Sequence, residues 1–459
     1  MSPLRTEARE NLRLAAPIIA TQIGTMMMGL VDTALVGRVG EQALAGVSIG
    51  NVLSFAVTMP ALGLFIAIEP LAAQAIGAGD GSRARRTMRA GIRLALLLTL
   101  PFALMTWASL TLLPLLKVDP TVIPLARAYV FARLPSILPF FIYMAAKTYQ
   151  QAVLRPRAAV EAAILANVLH AIVGWIAVFG DEGLARIGLP RVGLPAFGGA
   201  GAGLTTTLSM AFMAWWIASF RRRIPKGAPD EPRPGEPPLV GVDREVVAKL
   251  LRVGIPIGLQ LSAEVGIFSL VTVLMGRLGG RTTAAHQIAL GLTSFSFMGA
   301  LGVAQATAVR VGITVGGERS VDTRRAGLTG IGMGVAIMGV WSLVFALFPH
   351  GLARIFTPDE AVIATAIPLI RIGALFQLVD GVQVVCAGAL RGTGDTRWPL
   401  VLNVIMHWFV GFPLGLVLGF TLGMGAVGLW FGLTAGLTTI ALALVLRFIV
   451  LTRGRIRAL

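Results

Sequence analysis

The chain has 459 residues, 56% of them hydrophobic and only 13% charged, at a mean hydropathy of +0.80. An ordinary soluble chain is about 25% charged, so this one carries more apolar surface than a soluble core needs and reads as an integral membrane protein. Its net charge of +17 would suit nucleic acid in a soluble protein, but the bases lie in short segments between apolar runs, where they report orientation, so the partner is the lipid bilayer and no nucleic acid.

A bilayer core needs about 20 apolar residues per helix. On that rule twelve spans are expected, near 12–36, 45–76, 90–114, 121–150, 158–180, 198–220, 248–275, 284–314, 326–348, 361–390, 398–420 and 424–450. The fold class is therefore an all-α integral membrane protein with twelve transmembrane helices. The N-terminus is charged, then apolar without a cleavage site, so it is expected to stay as the first span. With the N-terminus in the cytoplasm, most of the 39 Lys and Arg fall on that side. Both termini are accordingly expected in the cytoplasm, with the membrane crossed many times; a bacterial-type inner membrane is the expected location.

The first span holds Asp32 behind Met26, Met27 and Met28, three methionines that suit either packing or an adaptable surface for varied ligands. Glu69, before Pro70 in the second span, and Glu161, after Arg157 in the fifth, are expected in interfacial ion pairs. Asn167 and His170 share a face of the fifth span and, with Thr206 of the sixth, are candidate oxygen or nitrogen ligands near Asp32. Hydrogen bonding between helices explains those three equally well. The run GGAGAG from Gly198 has no preceding soluble strand and indicates close helix packing, while Trp215 and Trp216 suit an interfacial anchor.

Residues 221–252 are rich in Pro and in both charge signs, which marks a solvated linker. The expected division is an N-lobe at 1–220 with spans one to six, a cytoplasmic linker at 221–247, and a C-lobe at 248–459 with spans seven to twelve. The seventh span carries Glu264. The tenth carries Asp380, the only charge between Arg371 and Arg391, one turn after Phe376, whose ring suits an organic cation or plain apolar packing. The single Cys386 excludes a disulfide framework and reads as packing. With four His and neither an HExxH nor a GxSxG pattern, a metal centre or hydrolase is not expected; the chain is expected to be no enzyme and to carry no cofactor.

The two halves look like copies. Setting Pro17 on Pro256 also sets Gly37, Arg38 and Gly40 on Gly276, Arg277 and Gly279, and Ala61 to Gly63 on Ala300 to Gly302. A second block sets Leu154 and Arg155 on Leu390 and Arg391, and Asn167 on Asn403. An even number of spans per copy gives parallel repeats, two pseudo-symmetric six-helix bundles enclosing a cavity that opens to alternate sides.

A mid-membrane carboxylate costs about 2.5–3.5 kcal/mol on insertion scales, so Asp32, Glu264 and Asp380 should face water or a partner. In the repeat Glu264 falls on Thr25 and Asp32 on Val271, so the two acids lie two turns apart on equivalent helices, roughly 10 Å in depth. Asp380 falls on Met144 and has no acidic twin. A carboxylate in such a place lets a proton compete with a metal ion or organic cation. For all three a structural role, satisfied by neighbouring amides or hydroxyls, is the alternative.

These residues resemble the multidrug and toxic compound extrusion (MATE) family, in its NorM-type branch. The likeness rests on VDT at Val31 to Thr33, on PIGLQLSAE ending at Glu264 and on FQLVDGVQVVCAGALRGTGDT from Phe376. It implies two six-helix bundles in a V, exporting hydrophobic or cationic drug-like compounds in exchange for protons or sodium. It also implies cation coupling at Asp32, with Asn167, His170 and Thr206, and at Glu264 with Asp380. Sodium is a candidate at either place, and Phe376, Gln377 and Met28 are implied against the substrate. His170 and Gly174 stand where Asn or Asp is common in the family, a departure that favours protons. A monomer is expected. The alternative is a flippase or exporter of a lipid-linked or amphiphilic metabolite, which the scarcity of basic residues within the spans disfavours.

Overall fold

The computed structural model describes residues 3–116, 118–221, 224, 226–232, 241, 243–454, 456, 458 and 459. Of the expected linker at 221–247, residues 222, 223, 225, 233–240 and 242 lie outside the described residues. In chain order the helices are α1 (Pro3–Gly37), α2 (Glu41–Ile66), α3 (Ile68–Gly77), α4 (Gly81–Ser109), α5 (Leu112–Leu115), α6 (Ile123–Arg133), α7 (Ile137–Ala152), α8 (Arg157–Arg186) and α9 (Gly198–Arg221). Then follow α10 (Arg244–Arg277), α11 (Gly280–Gly316), α12 (Ser320–Leu347), α13 (Pro349–Arg354), α14 (Glu360–Thr393), α15 (Arg397–Val404), α16 (Phe412–Leu416) and α17 (Gly425–Leu451).

Eleven helical stretches among the described residues are long and apolar enough to cross a membrane. The remaining expected span, 198–220, is the 24-residue α9. Its Gly, Thr and Ser lower its hydropathy, and those small residues let neighbours approach: a Cβ on Gly201 would lie 2.4 Å from the Ala177 carbonyl oxygen of α8.

Prolines set the breaks. α2 and α3 part at Ala67, just before Pro70, which has no N–H for the Ile66 carbonyl. Between α15 and α16, residues Ile405–Gly411 widen into a π-helix ahead of Pro413, which has no N–H for the carbonyl of Phe409. α14 is closed at both ends: Asp359 Oδ1 accepts from the Ala361 and Val362 N–H groups, and Gly394 at φ 89° carries the chain out of the helix.

Chain contacts divide the molecule into two compact units, one of residues 1–22, 69–80 and 252–459, the other of 23–68 and 81–251. This differs from the expected 1–220 and 248–459. In the first unit the opening of α1 packs on α11: Arg310 donates to Glu7 at 3.0 and 2.8 Å and pairs with Glu10 at 2.5 Å. α3 packs there too, with glycine as the condition, since a Cβ on Gly316 would fall 1.9 Å from the Gln74 carbonyl oxygen. Its core gathers Ile267, Val271, Phe376, Trp430 and Leu433, and a second cluster holds Cys386, Leu390, Leu444 and Phe448. The Cys386 thiol is free and buried, as packing requires.

The second unit is built around Leu35, Val36, Leu113, Tyr129, Val178 and Phe179. There the described part of the linker is fastened by Asp230, whose Oδ2 receives the Tyr149 hydroxyl at 2.6 Å and Arg155 Nη2 at 2.5 Å.

Candidate functional site

Each unit places a buried or half-buried acid among polar side chains, and the two clusters differ in chemistry. In the unit of residues 23–68 and 81–251, Asp32 of α1 is 8% exposed. Oδ1 lies 2.9 Å from His170 Nε2 of α8, and Oδ2 accepts from the Thr206 hydroxyl of α9 at 3.3 Å. His170 Nδ1 is 3.0 Å from Ser209 Oγ, one turn beyond Thr206. His170 and Ser209 are fully buried. The carboxylate, imidazole and hydroxyl form a chain that can carry a proton between fixed positions. With a neutral ring, Nε2–H donates to Asp32 and Nδ1 accepts from Ser209; with an imidazolium, both nitrogens donate and the Ser209 hydroxyl turns.

His170 and Thr206 thus meet Asp32 as expected, whereas Asn167 does not. Its amide donates to the carbonyls of Gly24 at 2.8 Å and Ala163 at 2.7 Å, so it ties α8 to α1. Asn167 lies one helical turn before His170, which puts it on the same helix face but displaced along the axis. Gly174, the other departure from the family pattern, packs against Leu35, so that a Cβ there would stand 2.9 Å from Leu35 Cδ1 and the leucine would have to turn aside.

In the unit of residues 1–22, 69–80 and 252–459, Glu264 of α10 accepts three amide donors on one oxygen, Oε1. These are Gln260 Nε2 at 3.3 Å, Gln383 Nε2 of α14 at 3.0 Å and Asn403 Nδ2 of α15. Oε2 accepts no hydrogen bond among the described residues. Asp380, 8% exposed on α14, lies close enough for the charge of Glu264 to act on it. Arg391, buried at the end of the same helix, feels both Glu264 and Glu69. Glu69 is fully buried within the protein, and Glu161 makes the expected pair with Arg157 at 3.0 Å.

The residues implied against substrate are enclosed. Phe376 stacks edge-on between Phe268 and Trp430, at 6.1 and 5.8 Å between ring centres. Gln377 donates to the Thr293 carbonyl at 3.2 Å and to Ser296 Oγ at 2.5 Å of α11, and Met28 is 4% exposed. Phe376 and Gln377 find these partners within their own unit, as aromatic and amide side chains do as readily as on a ligand. Ser209, Gln260 and Gln383 carry no mark in the sequence that points to these acids. Gln260 stands one turn before Glu264, and Asn403 was visible only as the repeat partner of Asn167.

No group of three or more His, Cys, Asp or Glu among the described residues is arranged to hold a metal ion. The MatE family model matches residues 17–176 and 256–417, once in each half. A protein of Deinococcus radiodurans named "Probable multidrug resistance protein NorM" is 37% identical over 453 residues, covering 98% of this chain and 96% of that one. A protein of the same name from Bradyrhizobium diazoefficiens is 36% identical over 459 residues, with 98% and 95% covered. The crystal structure of a Vibrio cholerae MATE transporter variant superposes at a TM-score of 0.85 with 17% identity, over 99% of this chain and 98% of that one, a likeness of fold.

Proposed function

The chain belongs to the MatE family and is a multi-pass membrane transporter, and from that premise we propose a secondary active antiporter. It exports hydrophobic or cationic compounds across a bacterial-type inner membrane, with both termini in the cytoplasm, and takes up protons in return. The relatives' names as multidrug resistance proteins support the cargo class. The observation that carries the choice of ion is the contact of Asp32 with His170 at 2.9 Å. A sodium ion asks for several oxygen ligands. Asp32 has one hydroxyl and an imidazole nitrogen around it, a set better suited to holding a proton.

At Glu264 the carboxylate is met by three amide N–H donors, with Asp380 near enough to feel its charge, so a proton or an organic cation competes there for the same negative charge. Coupling requires that the proton bind the inward-open and outward-open states unequally, because a ligand with equal affinity for both shifts nothing. The test is dye efflux from reconstituted vesicles under a pH gradient alone and a sodium gradient alone. Efflux is expected with the pH gradient; efflux driven only by sodium overturns the choice of ion, and efflux with neither overturns antiport by these ions.

A further inference from the structure

Arg133 is a charged residue within a span that the cation sites do not use. It ends α6, ten residues after Ile123, so it lies about 15 Å into the span. Asn51 is ten residues into α2, counted from Glu41 at the same end of the unit, and so lies at matching depth. The guanidinium is held by one nitrogen. Nη1 donates to the Tyr129 hydroxyl at 2.6 Å and to Asn51 Oδ1, both neutral, while the charge sits 5.8 Å over the Tyr129 ring. Tyr129 is itself buried, at 1% exposure.

Arg310, Arg155 and Arg447 each have a carboxylate, at Glu7, Asp230 and Asp395. Arg133 has none among the described residues, and its half-buried side-on edge, Nε–H with Nη2–H, carries no bond there. That edge is the one that grips a carboxylate with two parallel hydrogen bonds. An arginine facing lipid is costly, so a fixed guanidinium with that edge open calls for an anionic occupant.

We propose that Arg133 is a recognition subsite for a carboxylate on an amphiphilic substrate, with Asn51 and Tyr129 as positioning residues that aim its open edge. This rests on the efflux reading and extends the cargo from cations to zwitterions.

The test compares a rhodamine dye bearing a free carboxylate with the ethyl ester of the same dye, both as substrates of the reconstituted full chain. The readout is the ratio of acid to ester efflux rates. In Arg133→Gln that ratio is expected to fall about tenfold, the loss of two charge-assisted hydrogen bonds. Arg133→Lys keeps the charge without the fork, and its ratio should fall less. An unchanged ratio in both variants overturns the subsite, and so does an equal loss of both dyes, which marks a structural arginine. Wild-type protein that exports the ester but not the acid also overturns it while leaving the efflux reading intact. Export of neither dye overturns that reading as well.

Discussion

His170 Nε2 lies 2.9 Å from Asp32 Oδ1, and the far nitrogen of the same ring lies 3.0 Å from Ser209 Oγ. A buried carboxylate whose main partner is an imidazole differs from one surrounded by oxygens. The same ring bridges α1 and α9, since its two nitrogens reach the carboxylate on one side and the serine on the other.

Asp32→Asn keeps an oxygen for His170 and Thr206 but removes the charge, and efflux driven by a pH gradient should fall to that of protein-free vesicles. His170→Gln keeps a hydrogen-bonding side chain that does not titrate. The variant keeps the contact with Asp32 but removes the imidazole from the chain, so efflux driven by a pH gradient should fall well below wild type. A variant efflux trace that overlays the wild type would remove His170 from the coupling path.

Glu264→Gln and Glu264→Ala separate charge from structure. Glutamine still offers an oxygen to Gln260, Gln383 and Asn403, so apparent melting should stay near wild type while transport is lost. Alanine leaves those amides facing nothing, at about 1–3 kcal/mol for each buried group left unmade, and melting should drop visibly in detergent. Equal melting of the two variants would mean that the amides find other partners.

The twelve segments and the three acids were legible because both follow from the cost of polar groups in lipid, which leaves its mark in composition. Partner choice was not. Nothing local in Glu7 or Glu10 announces Arg310, about 300 residues away in sequence, so the grouping of 1–22 with residues 252–459 is not legible in the sequence. Asn167 and His170 share one helix face, yet only His170 is level with Asp32, because depth depends on how helices slide past each other. Gln377 sits three residues before Asp380 and turns to α11 instead. Nothing local marks Arg133 either, because its partners Asn51 and Tyr129 are neutral and leave no charge pattern in the sequence.

Gly432 of α17 tests whether the widened eleventh span relies on close approach. A Cβ there would come within 2.3 Å of Gly415 Cα, while Gly411 and Gly436 meet in the same way one turn away, with a Cβ on Gly436 3.0 Å from Gly411 Cα. Backbone cannot swing aside as a side chain can, so Gly432→Ala should destabilise by about 1–3 kcal/mol. Gly332→Ala on α12, where nothing lies within 4 Å, should melt as wild type or slightly above it. The two are compared by thermal unfolding in the same detergent, and an equal response at both positions would contradict the contact.

Asp230 tests the linker's attachment. It is fully buried, takes Tyr149 and Arg155 on its carboxylate and Arg85 Nη1 on its carbonyl at 2.6 Å. Removing one member of a buried ion pair costs up to about 3–5 kcal/mol, and the 26% exposure of the Arg155 side chain lowers that figure through solvent screening. Because the broken contacts fasten a loop, the loss should appear as local release: in Asp230→Ala, trypsin should cut at Lys226 faster than in wild type while global melting changes little. Asp230→Asn retains an acceptor for the Tyr149 hydroxyl but loses the charge facing Arg155, so its cleavage rate should fall between the two. Identical rates in all three proteins would show that the loop is held by its remaining contacts, such as Arg93 to the Gly241 carbonyl, and that the aspartate is not its anchor.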